Sequence, residues 1–290
     1  MTGNIITPFY AHPSACHFCV LPYKKNSEQE MLNVKSPTKC VKSSKHSGIT
    51  AILVYADGTM QDFLTESGTV SNDFVAQSHE LGHLLYWHKH GKTSIQVRQE
   101  KTLRWLLINN TLQSIVELNH PEHLLFPHLQ VLDALWQKYP KPHRVLELGL
   151  GAGAIRDYLH SVHENCQVIS VENNPDIIHC YKRYFGGDHI SEVNCNDAYK
   201  VLEVDHNHPF NWIILDLFSE LDAPRFLYQH KFYTLLRNTL AEQGVLFINF
   251  IAEHESQLKQ LEHLLIINFG KKPHIHQVPG YANHIIVVER

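Results

Sequence analysis

The sequence predicts an α/β protein in which a doubly wound, mostly parallel sheet of seven strands follows a small unit of β-hairpins. Three observations predict this fold. From residue 145 onward, apolar segments of strand length alternate with helical segments, as in parallel sheets covered by helices on both faces. A glycine-rich turn over residues 149–153 directly follows the first of these strands. Before residue 119, turn-forming residue pairs separate short apolar runs, which is typical of hairpins.

Composition and charge restrict the class of protein. The chain has 290 residues, of which 43% are hydrophobic, and this is enough for one large α/β domain with a smaller appendage. The formal net charge of −4 gives no reason to expect nucleic acid or an anionic membrane as a partner. The six cysteines are too scattered for a disulfide framework, and we find no signal peptide and no apolar run of membrane-spanning length. We therefore expect a soluble cytoplasmic protein.

We expect three regions along the chain. An irregular tail or cap over residues 1–47 is rich in Lys, Ser, Pro and Asn. A small unit over 48–119 contains hairpins and one helix, and the α/β domain occupies 120–290.

Within the small unit, the pair Asp57-Gly58 predicts a hairpin inside residues 49–64. Ser71 predicts the start of a helix over 72–90 that Gly91 ends. The strands that follow are predicted at 95–98, 102–108 and 111–118, with the turn Asn109-Asn110 between the last two.

The α/β domain is predicted to begin with a helix and to end with two strands that close the sheet. Asn174-Pro175 predicts the start of its third helix, and Gly186-Gly187 predicts the end. The predicted strands lie at 145–148, 167–171, 190–193, 212–215, 245–250, 275–278 and 284–288, and helices at 123–138 and 255–267 are the first and last.

The glycine loop indicates the class of ligand. Gly149, Gly151 and Gly153 form G-x-G-x-G, whereas the dinucleotide fingerprint requires G-x-G-x-x-G. A loop of this kind lets backbone N–H groups and a helix N-terminus approach a nucleoside-bearing ligand, and this spacing suits S-adenosylmethionine better than NAD. An ordinary tight turn between strand and helix is the alternative interpretation.

Acidic residues follow three of the predicted strands, where ligands of open α/β sheets bind. Glu172 ends the second strand, at a spacing from the loop that suits hydrogen bonds to ribose hydroxyls. Asp197-Ala198 follows the third strand and suits an adenine ring, although Asp197 also suits the N-cap of a short helix over 198–202. Asp216 ends the fourth strand, where a reactive centre would lie beside Phe218, and a solvent-facing turn aspartate is the alternative.

At these positions the chain resembles the spermidine synthase family, in particular its spermidine-synthase-like bacterial branch, which has the class I methyltransferase (Rossmann-like) fold. The resemblance covers roughly residues 95–290 and rests on the order and spacing of several motifs. These motifs are Leu112-Gln113-Ser114, His120-Pro-Glu-His-Leu-Leu-Phe-Pro-His128, Val145-Leu-Glu-Leu-Gly-Leu-Gly-Ala-Gly153, Val171-Glu-Asn-Asn-Pro-Asp176, Asn196-Asp-Ala198, Ile214-Leu-Asp-Leu-Phe218 and Gly244-Val-Leu-Phe-Ile-Asn249.

The resemblance implies S-adenosylmethionine or its decarboxylated form as cofactor, a small-molecule acceptor and a homodimer. We expect Asp216 or Glu220 to be the catalytic base, and Gln113 and Phe218 to contact the acceptor. The cofactor-binding residues that the resemblance implies are Gly149, Gly151, Ala152, Gly153, Glu172, Asn173, Asp197, Ala198 and Asp216.

Two positions depart from the pattern of true aminopropyltransferases. Ala152 stands where their glycine loop has Asp, and Ser219 stands where the second Asp of their D-x-x-D motif lies, with Glu220 next to it. Decarboxylated S-adenosylmethionine carries a bare ammonium that gains from a carboxylate, whereas the ordinary form adds a carboxylate that an acid would repel. We therefore predict transfer of a methyl group from S-adenosylmethionine. Aminopropyl transfer from the decarboxylated form to putrescine is the alternative, and a non-catalytic nucleoside-binding protein is a further one.

Two other patterns raise the question of a metal. His79-Glu-Leu-Gly-His83 matches the H-E-x-x-H zinc motif on the predicted helix, where both histidines would share one face. Cys16-x-x-Cys19 with Cys40 is a possible zinc knuckle. No third ligand completes the first pattern and no second C-x-x-C completes the other. We therefore expect a solvated helix face, surface thiols and no metal, with a zinc hydrolase as the least favoured alternative.

Overall fold

A computed structural model of the chain describes residues 63–186, 192–204, 208–217 and 224–290. The predicted tail, nearly all of the hairpin at Asp57-Gly58 and the three N-terminal cysteines lie outside the described residues, as do Phe218 and Glu220.

The N-terminal part of the described chain is one short helix followed by a four-stranded antiparallel sheet. Helix α1 begins after Ser71, whose hydroxyl accepts a hydrogen bond from the backbone N–H of Phe74 at 3.1 Å. Asn109 and Asn110 form the turn before the last strand with φ of 48° and 63°, as the sequence predicts. The elements are α1 (Asn72–Gln77), β1 (His83–His90), β2 (Thr93–Glu100), β3 (Leu103–Ile108) and β4 (Thr111–Glu117), in the sheet order β1-β2-β3-β4.

The prediction of one helix over 72–90 is wrong. The observed helix α1 ends at Gln77, and residues 83–90 form strand β1. Gly82 adopts φ of +64°, which interrupts a helix, and Gly91 is the turn between β1 and β2 rather than a helix end. Arg98 of β2 donates hydrogen bonds to the carbonyls of Leu81 and Gly82, at 2.6 and 3.2 Å. The Arg98 side chain thus provides hydrogen bonds to backbone carbonyls that would otherwise accept hydrogen bonds within a helix.

The C-terminal part is a seven-stranded sheet that confirms the predicted fold class. Strands β5 to β9 are parallel, β11 is antiparallel to β9, and β10 is antiparallel to β11. Strand β5 pairs with both β6 and β8, so the strand order reverses there. The strands are β5 (Arg144–Leu148), β6 (Gln167–Glu172), β7 (Val193–Cys195), β8 (Phe210–Leu215), β9 (Leu240–Ile251), β10 (His274–Gln277) and β11 (Asn283–Glu289), in the order β10-β11-β9-β8-β5-β6-β7.

Helices cover both faces of this sheet and leave the carboxyl ends of its strands open. The helices are α2 (Pro127–Trp136), α3 (Ala154–Val162), α4 (Pro175–Cys180), α5 (Ala198–Leu202), α6 (His230–Thr239) and α7 (Glu255–Phe269). The Asn174 side chain caps α4 by accepting from the N–H of Asp176 at 2.9 Å, as predicted, and a π-helical turn over Tyr181–Phe185 extends it to Gly186.

Two apolar clusters fill the space between the sheet and its helices. One contains Trp105, Trp136 and Trp212 and joins the four-stranded sheet to α2, α3 and one face of the larger sheet. The other packs α5, α6 and α7 against the opposite face. In the part of the chain that the structure describes, no helix combines the length and the apolar character needed to cross a membrane.

Candidate functional site

A cavity of about 460 Å³ lies at the carboxyl ends of β5, β6 and β8 and is closed on the other side by β3, β4 and α2. The predicted site residues that line it are Gln113, Gly149, Gly151, Glu172, Asn173, Asp197, Ala198 and Asp216. The two sheets therefore bring together residues that are as much as about a hundred positions apart in the sequence.

The glycine loop makes two close contacts that a side chain would prevent. Gly149 has φ of 101°, and a Cβ there would collide with the backbone carbonyl of Asp216 at the end of β8. A Cβ at Gly153 would collide with the ring of Tyr181, so Gly153 serves the packing of α3 and does not line the cavity. Gly149 and Gly151 line the cavity itself. The loop thus brings backbone, rather than side chains, to the ligand space.

Ala152 lies under the loop and has no exposed surface. It belongs to an apolar cluster with Ile95, Val97, Leu106 and Ile177 and is not among the residues that line the cavity. The absence of an acid at position 152 is therefore weak evidence about the charge of the cavity, although the sequence motif places this position beside the ligand.

Glu172 is held by backbone donors at the end of β6. One carboxylate oxygen accepts from the N–H of Asn174 at 2.9 Å and the other is 3.4 Å from the N–H of Leu150. Burial raises the pKa of Glu172, and the backbone N–H groups act in the opposite direction. The side chain is thus fixed between the glycine loop and α4.

Asp197 does form the N-cap of α5, with Oδ1 accepting from the N–H of Lys200 at 3.1 Å. It also lines the cavity together with Ala198, so the two interpretations of Asp197 are compatible. Asn196 lines the cavity beside them and was not predicted.

Asp216 is a half-buried cavity residue, not a solvent-facing turn aspartate. Its Oδ1 accepts from the Asn249 side-chain amide at 2.9 Å, and Asn249 in turn accepts from the amide of Asn283 at 3.0 Å. Loss of water contact raises the pKa of Asp216 to about 6, and the hydrogen bond from Asn249 partly opposes this shift. A carboxyl group with this pKa can exchange protons near neutral pH.

Sequence reasoning missed Glu147, which lines the cavity from inside β5 and has no exposed surface. Ser170 donates a hydrogen bond to its Oε2, whereas its Oε1 is buried without a partner among the described residues. Burial raises the pKa of Glu147 to about 8, Ser170 and Arg156 act against this, and the charge of Asp216 adds to it. The sequence signal that could have indicated Glu147 as a site residue is the presence of an acid inside the apolar run Val145-Leu-Glu-Leu148.

Sequence reasoning also missed His128, which lines the opposite side of the cavity near the start of α2. It is 5% exposed and stacks on Phe126 with ring centroids 5.2 Å apart. Its Nδ1 is buried without a hydrogen-bond partner among the described residues, and burial lowers its pKa to about 3. The imidazole is therefore neutral at physiological pH.

The H-E-x-x-H motif does not form the predicted helical pair. His79 lies in a turn 3.5 Å from Glu80, and His83 begins strand β1, so the two histidines do not share a helix face. Among the described residues, neither belongs to a group of three potential ligands close enough to share an ion.

Comparison with known proteins shows the same fold at low sequence identity, and no protein-family model matches the chain. The polyamine aminopropyltransferase of Neisseria meningitidis serogroup A is 22% identical over 190 residues, which cover 63% of this chain and 71% of that protein. A probable spermidine synthase from Corynebacterium glutamicum superposes with a TM-score of 0.60 and 18% identity, over 72% of this chain and 80% of that one. Human methyltransferase-like protein 13 in complex with SAH superposes with a TM-score of 0.50 and 18% identity, over 55% of this chain and 80% of that one. The chain therefore has the class I methyltransferase-type fold of spermidine synthases, as predicted.

Proposed function

We propose that this chain is a transferase that uses an adenosyl sulfonium donor, and that the group it transfers is the aminopropyl group of decarboxylated S-adenosylmethionine. The observation that carries this proposal is the acidic lining of the cavity. Glu147, Glu172, Asp197 and Asp216 line it, whereas no Lys or Arg does among the described residues. Such a cavity favours a donor with two positive charges over one that also carries a carboxylate. This reverses the preference for methyl transfer that we inferred from the sequence alone.

The residues present fit the adenosyl part of such a donor. Gly149 and Gly151 offer a wall without side chains, as the adenosyl group requires. We assign Glu172 with Asn173 to the ribose, and Asp197 with Ala198 to the adenine. Ala152 and Gly153 hold the loop from beneath rather than through contact with the donor.

Glu147 and Asp216, which we call the acid pair, are the remaining acids of the cavity. We assign them to the part of the donor that carries the transferred group. Both have raised pKa values, and the charge of Asp216 adds to the rise in the pKa of Glu147. An ammonium group beside them would favour their ionised forms and would satisfy the unpartnered Oε1 of Glu147. The acid pair thus supplies the negative charge that position 152 lacks.

When bound, the donor would supply an activated carbon attached to its sulfonium sulfur. The chain's own residues would orient the acceptor and remove a proton from it. We assign proton removal to Asp216, because its pKa of about 6 lets the carboxylate accept a proton at neutral pH. Glu220 is a second candidate base, and Gln113, Phe218 and His128 would contact the acceptor. Putrescine is the acceptor that fits this assignment, because a diamine is attracted by the same acids.

Methyl transfer from ordinary S-adenosylmethionine is the second candidate function. The absence of an acid at Ala152 favours it, since a carboxylate there would repel the carboxylate of the ordinary donor. The assignments to adenine and ribose are the same for both donors, so only ligands that differ at the reacting end distinguish them.

The test combines binding and turnover with the purified full-length chain. We expect decarboxylated S-adenosylmethionine and methylthioadenosine to raise the melting temperature, because a ligand of the folded state stabilises it. With putrescine as acceptor, we expect release of methylthioadenosine. Stabilisation only by S-adenosylmethionine and S-adenosylhomocysteine would establish the second candidate instead. Stabilisation without turnover of either donor would support the non-catalytic alternative. The predicted homodimer and cytoplasmic location stay predictions.

A further inference from the structure

Three potential metal ligands converge in the turn between β4 and α2, outside the cavity described above. His120 Nδ1 is 3.1 Å from Glu122 Oε1, and His123 Nε2 is 3.8 Å from the same oxygen. One ligand atom from each of the three residues lies within 4.8 Å of the other two. In a tetrahedral zinc site, neighbouring ligand atoms are about 3.3–3.6 Å apart, given Zn–N and Zn–O bonds of about 2.0–2.2 Å. The two imidazole rings are stacked, with centroids 5.0 Å apart and an angle of 9° between their planes. Because a metal lies in the plane of each ring that binds it, one ring must rotate out of this stack to bring the three atoms onto one ion.

A fourth residue orients one of these ligands. Glu117, at the end of β4, has its Oε2 2.7 Å from His123 Nδ1 and is only 15% exposed. A carboxylate on one ring nitrogen fixes the histidine tautomer that leaves the other nitrogen free for a metal. Here that other nitrogen is Nε2, which faces Glu122. The arrangement is that of a metal-binding histidine with its supporting carboxylate.

The turn also borders a second cavity of about 370 Å³. Its walls include Glu117, His120 and His123 on one side and Asp157 and His160 of α3 on the other. A set of two histidines and one glutamate leaves one tetrahedral position open, as in zinc sites that also bind water or another ligand. The half-exposed ligands give an ion free access from solvent.

We propose that His120, Glu122 and His123 bind one divalent transition-metal ion, with Zn²⁺ as the best match to this donor set, and that Glu117 positions His123. The open coordination position takes water or an oxygen ligand. This site is separate from the acid pair, and its existence does not depend on the transferase proposal.

The test is calorimetric titration of the chelator-treated full-length chain with ZnCl₂. A chain with 23 histidines and six cysteines offers zinc many weak, unspecific contacts, so the readout is the difference between variants. We expect the double variant His120→Gln/His123→Gln to bind one Zn²⁺ fewer per chain than the wild type. The matched control His79→Gln/His83→Gln is expected to keep the full number, because those histidines do not converge. Glu117→Gln is expected to keep the number but to weaken the affinity of that ion about 10–100-fold.

Two outcomes would overturn the site. One is equal zinc stoichiometry in the wild type and in His120→Gln/His123→Gln, and the other is loss of an equivalent only in the control pair. Folding is checked by the melting temperature of the metal-free proteins, which we expect to be the same for the wild type and the double variant, because the side chains of His120 and His123 are half-exposed. Co²⁺ in place of Zn²⁺ adds a spectroscopic readout, since a tetrahedral site gives an intense visible absorption that the double variant should lose.

Discussion

The two walls of the larger cavity carry different chemistry. The wall from the seven-stranded sheet presents the carboxyl groups of Glu147, Glu172, Asp197 and Asp216. The opposite wall, from β3, β4 and α2, presents neutral groups, including Leu106, Ile108, Gln113, Phe126 and His128. Under the proposed function, one sheet recognises the cationic donor, while the other sheet shapes the space left for the acceptor. Substitutions on the two walls should change different kinetic constants.

The largest effect is expected from Asp216→Asn on the acidic wall. The amide has nearly the same shape but cannot accept a proton from the acceptor, so we expect kcat to fall about 10²–10⁴-fold. Because Asp216 also belongs to the acid pair, donor binding, measured by thermal shift, should weaken as well, but by a smaller factor than kcat falls. Asp73→Asn on exposed α1 is the matched control and should leave kcat unchanged. Turnover of Asp216→Asn within threefold of the wild type would remove Asp216 from the chemistry.

Glu147→Gln should act on the donor rather than on proton transfer. The variant keeps the shape and the hydrogen bond with Ser170 but removes the charge available to an ammonium group. Since a hydrogen bond to a charged group contributes about 1.5–3 kcal/mol, we expect the Kd of decarboxylated S-adenosylmethionine to rise about 10–100-fold, with a smaller change in kcat. Glu242→Gln, on the exposed part of β9, is the control. An unchanged Kd would mean that Glu147 has only a structural role.

Glu147 should also make stability depend on pH without any ligand. Burial raises its pKa from 4.5 to about 8, so between these values the folded state binds more protons than the unfolded state. The free energy of unfolding must then fall as pH rises through this window, by at most about 1.4 kcal/mol per pH unit. We expect denaturant titrations at pH 5 to 8 to show this slope in the wild type and a smaller one in Glu147→Gln. Equal slopes would contradict the raised pKa.

The sequence predicted the acidic wall better than the neutral one. Strands β6, β7 and β8 could be located approximately from their apolar runs, and the strand-end rule then points to Glu172, Asp197 and Asp216 from chain order alone. The helix predicted over 72–90 failed because pairing with β2 decides the structure of residues 83–90. A partner in space overrides local helical periodicity.

Glu147 and His128 could not be assigned from the sequence for a related reason. Each stands inside an apolar run. Such a run predicts that its residues are buried, but it does not predict which cavity or element a side chain contacts. Only the packing of the small sheet over the large one shows that both side chains reach one cavity. For Ala152 the sequence erred in the opposite direction. Its position in the motif predicts contact with the ligand, whereas in the structure it is packed under the loop.

On the neutral wall, His128→Leu should separate acceptor binding from stability. Removing the unpartnered Nδ1 removes a buried polar atom, so the free energy of unfolding should not fall and should rise by up to about 1 kcal/mol. We expect KM for putrescine to rise about tenfold while the Kd of the donor stays the same. Steady-state kinetics and denaturant titration test this, with exposed His143→Leu as control. A change in donor Kd as large as the change in KM would contradict the division between the two walls.

The smallest expected effect concerns the amide chain behind Asp216. Asn249 donates to Asp216 and stabilises its carboxylate, which lowers the pKa relative to burial alone. In Asn249→Ala that donor is lost, so the pKa of Asp216 should rise, and the acidic limb of the kcat/KM profile should move to higher pH by up to about one unit. Asn268→Ala on α7 makes the same chemical change away from the cavity and should leave the profile in place. A shift toward lower pH, or an equal shift in both variants, would show that Asp216 is not the group whose ionisation limits the reaction. A shift in Asn249→Ala alone would place that group on the acidic wall, because Asn249 contacts Asp216 from β9 and not from the opposite side of the cavity.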